Sequence, residues 1–148
     1  MRAVIQRSKK ACVVVSEKKI GKIDHGYVIF VGFTSGDDKQ VVDKMIEKII
    51  NLRIFSDEND KLNLSLLDVG GSVLSISQFT LYAKLNGRRP SFTDALNYKD
   101  AKELYEYFNH KLKLKKINVE TGEFGSDMKV SLVNDGPITI TIDSKEVF

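Results

Sequence analysis

The chain has 148 residues but only one cysteine, two histidines and two prolines, and each scarcity removes a class of function. Cys12 has no partner for an internal disulfide, and no Cys/His cluster has the spacing of a zinc site, so a reducing, cytoplasmic setting is expected. A Gly-x-Ser-x-Gly elbow, a phosphate-binding loop and a dinucleotide fingerprint are all missing. No apolar run approaches the length of a membrane span, and Met1 leads directly into the strand-like stretch Arg2 to Arg7, which leaves no room for a signal peptide. Charge of one sign is lacking too. The 23 basic and 20 acidic residues leave a net +3, milder than a dedicated nucleic-acid binder carries, so an RNA or phosphate partner is permitted rather than demanded.

What is present suffices for one core. With 42% hydrophobic residues the chain can bury an interior without disulfides or metal, and it shows no repeat, low-complexity tract or linker, so one domain over 1–148 is expected. Val-, Ile- and Phe-rich stretches at 2–7, 11–16 and 27–33, separated by Lys9-Lys10, Glu17-Lys18-Lys19 and Asp24-His25-Gly26, read as short antiparallel strands. From Asp37 the period changes. Val41, Val42, Met45, Ile46, Ile49 and Ile50 recur at helical spacing and predict an amphipathic helix ending near Leu52. Ala101, Leu104, Tyr105, Phe108 and Leu112 predict a second, with Asn97 as its N-cap and a basic exit through Lys111, Lys113, Lys115 and Lys116. Two further strands are expected at 128–133 and 138–142, with Asn134-Asp135-Gly136-Pro137 between them.

The chemistry concentrates where the strand Ser72 to Ser77 ends in Ser77-Gln78-Phe79-Thr80, followed by the only adjacent arginines, Arg88-Arg89. Thr80 has two readings: a nucleophile, which would need a base that no neighbouring residue offers, or a strand-end threonine satisfying a backbone group. His25 in a turn and His110 near a helix end read as solvated or structural. Cys12 reads as core, because nothing near it in sequence would lower its pKa. An acyl-transfer site built from such residues would work by positioning its substrate and by aiming backbone N–H groups at the developing oxyanion. Gly136-Pro137 is either a designed break beside a strand or a plain turn.

Taken in order, Ser77-Gln78-Phe79-Thr80-Leu81, Gly87-Arg88-Arg89-Pro90-Ser91-Phe92 and Asn134-Asp135-Gly136-Pro137-Ile138-Thr139 resemble the signatures of the D-aminoacyl-tRNA deacylase (formerly D-tyrosyl-tRNA deacylase) family. The opening Met1 to Arg7, Leu52-Arg53-Ile54-Phe55 and Gly122 to Met128 extend the likeness over essentially the whole chain. Ser8 and Asn86 depart from the residues common there, outside the signatures. The resemblance implies an α/β (α+β type) fold: a compact domain of antiparallel, barrel-like β-sheets flanked by two main helices. It also implies a homodimer that hydrolyses the ester between a D-amino acid and the terminal adenosine of tRNA, with no cofactor, no membrane and no DNA partner.

By the same resemblance Ser77, Gln78, Phe79 and Thr80 line the catalytic site. Ala101, Phe124, Gly125 and Met128 form the adenosine pocket. Gly136 and Pro137, in the cis form, enter the partner subunit's site as a chirality filter, and Arg7 holds that loop. Arg88, Arg89, Lys84 and the Lys111–Lys116 cluster are candidate phosphate contacts for the tRNA body, with a solvated lysine-rich face as the plain alternative for the lysines. Two rival functions stand beside the editing esterase: a non-catalytic RNA- or nucleotide-binding module, and a hydrolase with Thr80 as covalent nucleophile.

Overall fold

The computed structural model describes all of residues 1–148. The first strand, β1 (Arg2–Val15), turns through Ser16-Glu17, both at positive φ, into β2 (Lys18–Ile23), and β3 (Gly26–Gly32) follows. Both run antiparallel to β1: β2 opposite Ala11–Val15 and β3 opposite Arg2–Ser8. The helix α1 (Lys39–Ile50) comes next, then the short hairpin β4 (Phe55–Ser56) and β5 (Leu62–Leu64), then β6 (Ser72–Ser77). A 3-10 turn (Phe79–Tyr82) caps β6, and α2 (Tyr98–Leu114), β7 (Val119–Thr121), β8 (Lys129–Asp143) and a last turn of helix, α3 (Ser144–Val147), complete the chain.

The antiparallel pairing expected of the strands around β1 holds, and two parallel pairs join them: β6 lies parallel to β3 (Val31 opposite Ser77) and β7 parallel to β6. Long connections through α1 and α2 make those parallel pairs possible, since a parallel neighbour cannot be reached by a tight turn. β2 approaches β6 and β7, which bends the sheet toward a barrel. Both helices lie where their apolar periodicity puts them. Val42, Met45, Ile46, Ile49 and Ile50 of α1 and Leu104, Tyr105, Phe108 and Leu112 of α2 share a core with Ile5, Tyr27, Ile29 and Leu66. The Asp38 side chain accepts the Val41 N–H at 2.9 Å and Asn97 accepts the Asp100 N–H at 3.1 Å, so both helices begin on capping oxygens, Asn97 as predicted.

Three local expectations need correction. The stretches 2–7 and 11–16 are one continuous strand, because Ser8 is buried and its hydroxyl donates to the Val133 carbonyl (3.2 Å), while Lys9 and Lys10 simply face solvent. Lys18–Ile23, read partly as punctuation, is a strand whose lysines are exposed. The two C-terminal strands are a single element, β8, in which the pairing with β1 slips on either side of Ser8. Pro137 is tolerated inside it because β8 pairs only with β1, and an edge strand leaves a missing N–H unmissed.

β8 is also tied at its end. Arg2 Nε donates to Asp143 Oδ2 at 2.7 Å, and the Arg2 guanidinium lies 4.6 Å from the Tyr82 ring. Burial pushes the Asp143 carboxyl up, but the Arg2 hydrogen bond, the Lys145 backbone N–H and nearby positive charge outweigh it and leave the group below its ordinary value. A carboxyl depressed by folding contributes stability above its unfolded pKa and loses it as pH falls through the folded one. Asp143→Asn is therefore expected to be less stable than wild type by about 0.5–1 kcal/mol at pH 7, the difference closing in acid; urea unfolding across pH 2–7 measures it.

Candidate active site

The end of β6 opens into a cavity of about 610 Å³. Its walls come from four stretches that the sequence keeps far apart: Val31 to Phe33 at the end of β3, Ile76 to Phe79, the segment Phe92 to Ala101 leading into α2, and Phe124 to Val130. β6 is placed there by its parallel ladder with β3, where Val73, Leu74 and Ile76 are fully buried and the chain turns polar at Ser77. Tyr105 of α2 donates its hydroxyl to the Ser75 carbonyl at 2.7 Å and so fastens α2 to the strand just below the cavity. Burial raises the Tyr105 pKa, which keeps the phenol a donor.

Close approach of the backbone shapes the wall. The Gln78 N–H donates to the Val31 carbonyl at 2.7 Å, while Gly32 faces the Gln78 carbonyl so tightly that a Cβ on it would lie 2.7 Å from that oxygen. The Gln78 amide is therefore engaged within the sheet and cannot also serve a ligand. The Phe79 and Thr80 amides open the 3-10 turn and have no acceptor inside it.

Of the residues expected at the site, Ser77, Gln78, Phe79, Ala101, Phe124, Gly125 and Met128 all line this one cavity. Thr80 stands just outside the lining, exposed, with its hydroxyl accepting from Gln78 Nε2 at 2.7 Å. That partner is an amide and has no basicity to lend. No histidine, lysine or glutamate lines the cavity; its titratable lining residues are Tyr98 and Asp127, both solvent-exposed, and Asp127 stands beside Lys129 (3.2 Å).

Arg7, Gly136 and Pro137 do not join the others within one chain. Arg7 is level with Tyr27 and Val73 across the sheet, whereas Ser77 is level with Val31 and Ala3, a separation of four residues or roughly 13 Å along the strands alone. The glycine-proline loop lies farther still, on β8, across the opposite edge of β1 from β3. The loop is nonetheless well held. Arg7 is 9% exposed; its Nε donates to the Asp135 carbonyl (3.1 Å), its Nη1 to the Ile54 carbonyl (2.8 Å), and Nε lies 3.4 Å from Asp135 Oδ2. Asn134 bridges the turn, accepting from the Ile138 N–H (3.2 Å) and donating to Thr139 Oγ1 (2.8 Å). Gly136 has φ +127°, the Gly136-Pro137 peptide is cis, and both residues are exposed on the surface.

Several residues escaped the sequence reading. Gly32, Phe92 and Tyr98 line the cavity; Phe92 stands in the Gly87–Phe92 signature without a site role, Tyr98 lies three residues before Ala101 on the apolar stripe of α2, and Gly32 carries no signal beyond the expected strand. The lysines expected to meet phosphate are mostly answered within the chain. Lys84 pairs with Asp94 (2.7 Å) and Lys111 with Asp43 (3.4 Å), and Lys115 pairs with Glu47, so part of the basic exit of α2 neutralises α1. Arg88 and Arg89 remain exposed and have no ion-pair partner.

The chain matches known proteins over its length. It is 54% identical to a D-aminoacyl-tRNA deacylase of Thermosipho africanus, with all of both chains covered, and 51% identical to one of Aquifex aeolicus, covering 99% of this chain and 100% of the relative. Among solved structures it resembles a protein described as c-Myc DNA Unwinding Element Binding Protein (TM-score 0.91, 35% identity, 97% and 98% of the two chains). It also shares its fold with a probable eukaryotic D-amino acid tRNA deacylase (TM-score 0.84, 17% identity, 95% and 97%). The family model described as D-Tyr-tRNA(Tyr) deacylase matches residues 4–143, and with relatives above 50% identity over the full length, the chain belongs to that family.

Proposed function

We propose that the protein hydrolyses the ester joining a D-amino acid to the 3'-terminal adenosine of tRNA, releasing the free amino acid and the tRNA. The observation that carries this reading is the gathering of Ser77, Gln78, Phe79, Ala101, Phe124, Gly125 and Met128, from separate stretches of chain, around one largely apolar cavity whose only carboxylate, Asp127, is exposed and paired with Lys129. An apolar slot with a few polar groups at one end suits a nucleoside with an ester at its ribose.

Water adds to the ester carbonyl, the carbonyl carbon to ribose oxygen bond breaks, and the proton released by the water ends on the departing ribose oxygen. The vicinal 2'-hydroxyl of the substrate carries that proton, so the site needs no histidine, lysine or glutamate in its lining. The protein holds the ester in register, and positioning of this kind supplies much of the rate. The Phe79 and Thr80 N–H groups serve the oxyanion, each donor being worth about 3 kcal/mol in the transition state.

Gly136 and Pro137 of a second copy complete the site. The loop is exposed, firmly held by Arg7 and Asn134, and too far from its own cavity, which supports an exchange between two subunits of a symmetric dimer. Their carbonyls take the substrate amino group, so that a D side chain points to solvent and an L side chain collides with main chain. A cytoplasmic setting goes with that substrate.

Two outcomes follow. Thr80→Ala is expected to keep kcat within about threefold of wild type, since the hydroxyl has only an amide for a neighbour; a loss near the 10⁴-fold scale of a missing nucleophile, with tRNA binding intact, would restore Thr80 as nucleophile. Glycyl-tRNA, which has no side chain to collide, is expected to be hydrolysed alongside D-tyrosyl-tRNA, and its inertness would end the pure exclusion model. Binding of tRNA with no turnover of any ester would instead mark a binding module.

A further inference from the structure

The cavity mouth carries more exposed aromatic surface than a nucleoside pocket requires. Phe79 is 57% exposed and Tyr98 63%, and both line the cavity. Each is propped edge-to-face against a second lining ring: Phe79 on Phe92 (centroids 5.0 Å, 71°) and Tyr98 on Phe124 (5.1 Å, 75°). Phe124 packs inward on Tyr105 (5.6 Å), so the inner ring is anchored to the core and the outer ring presents a free face. Tyr98 continues the apolar stripe of α2 past Ala101, lies against Gly125 and Phe124 on one side and is otherwise open, and its hydroxyl has no hydrogen-bond partner in the chain.

Beside this rim a short hairpin is pinned by the reciprocal backbone pair Lys84–Ser91 (2.8 and 3.0 Å) and by the Lys84–Asp94 ion pair. Its tip holds Arg88 and Arg89, the two cations in this region that no carboxylate answers, and Phe92 follows directly into contact with Phe79. Aromatic faces interleaved with arginine are the surface that single-stranded nucleic acid selects, through base stacking and phosphate contacts.

We propose that this rim is a second nucleotide subsite, in which the nucleotides preceding the terminal adenosine lie along the cavity mouth with a base stacked on Tyr98 or Phe79 and their phosphates on Arg88 and Arg89. The proposal rests on the deacylase reading for its occupant, the single-stranded 3' end of an aminoacylated RNA. It divides the labour of binding. The cavity reads the ester and its nucleoside, and the rim supplies affinity that only a longer RNA can use.

The test compares two substrates, D-tyrosyl-tRNA and the D-tyrosyl ester of adenosine, which lacks every preceding nucleotide. The double variant Arg88→Gln/Arg89→Gln is expected to raise KM for the tRNA tenfold or more with kcat retained, and to change KM for the adenosine ester less than twofold. The slope of log KM against log salt should fall by about 1.4, roughly 0.7 for each single-strand phosphate contact removed. Tyr98→Ala should raise KM for the tRNA about tenfold and Tyr98→Phe should restore it, because the stacking face is kept.

Equal losses on both substrates, or unchanged KM for the tRNA in both the arginine and the Tyr98→Ala variants, would overturn the subsite. Dissociation of a dimer by Tyr98→Ala in sedimentation would overturn it as well, by making the rim a subunit contact. Should wild type turn over neither ester, the deacylase reading falls. Fluorescence polarisation with a 5'-labelled hexaribonucleotide ending in adenosine then decides the rim alone: binding weakened at least fivefold by the arginine variant upholds it, and equal binding ends it.

Discussion

Replacing Gly32 by alanine will lower kcat/KM on D-tyrosyl-tRNA by about 100-fold or more, while the protein still folds. The added Cβ would lie 2.7 Å from the Gln78 carbonyl oxygen, 3.3 Å from Leu81 Cβ and 3.4 Å from Tyr82 Cδ2. An ordinary contact needs roughly 3.5 Å, so something must move by more than half an ångström. The strand β3 cannot yield easily, because Gly32 pairs with Arg2 of β1 on its other edge. The movable party is Gln78 and the turn after it, which carries the wall of the cavity and the Phe79 and Thr80 amides. Overpacking of this kind costs about 1–3 kcal/mol of stability, which thermal unfolding can separate from the loss of rate. A wild-type rate in Gly32→Ala would mean that the position of the Gln78 segment does not matter to turnover.

Gly136→Ala will have an effect of similar size for a different reason. At φ +127° an L side chain is strained, and the new Cβ would meet Ile138 Cγ1 at 2.9 Å, the Ile138 amide nitrogen at 3.1 Å and Arg7 Nη2 at 3.2 Å. Arg7 is fixed by the Ile54 and Asp135 carbonyls, so the loop gives way and its carbonyls leave the positions in which the proposed mechanism has them receive the substrate amino group. Hydrolysis of D-tyrosyl-tRNA is expected to fall about 100-fold, and the residual activity to lose its preference for D over L.

The two variants also test each other. A mixed dimer of Gly32→Ala and Gly136→Ala protomers holds one site with both halves intact, so random subunit exchange should recover about a quarter of the wild-type rate. A mixture no more active than its components would place both halves of the site in one chain.

Much of the cavity wall is legible in the sequence alone. The strand ending at Ser77 was readable because its apolar run stops abruptly at polar residues, and the structure ends β6 at that residue. Both long helices were readable from period, and Asn97 from its capping chemistry. The failures were non-local. Lys18–Ile23 has poor strand propensity and is a strand only because β1 is long enough to pair with it after a tight turn. Gly136-Pro137 reads as a break or a turn between two strands, and nothing in the sequence shows that β8 lies on an edge where proline does no harm. Gly32 falls inside the expected strand 27–33 with no further signal, since its constraint comes from Gln78, 46 positions away. The lysines of α2 looked free because their acidic partners lie on another helix.

The arrangement as a whole is a holder built from backbone. Two glycines set its geometry, an arginine and an asparagine stiffen the Gly136-Pro137 loop, and on the proposed mechanism that loop proofreads while side-chain hydroxyls take little part. If editing works by exclusion in the proposed manner, it would tolerate many D side chains, because none of them is read.

The most direct measurement is the deacylation rate of one tRNA charged in turn with D-tyrosine and with L-tyrosine, followed by loss of labelled amino acid at equal enzyme concentration. The account predicts rapid hydrolysis of the D ester and no hydrolysis of the L ester above the uncatalysed rate. Equal rates for the two esters, or no enzymatic hydrolysis of the D ester, would contradict it.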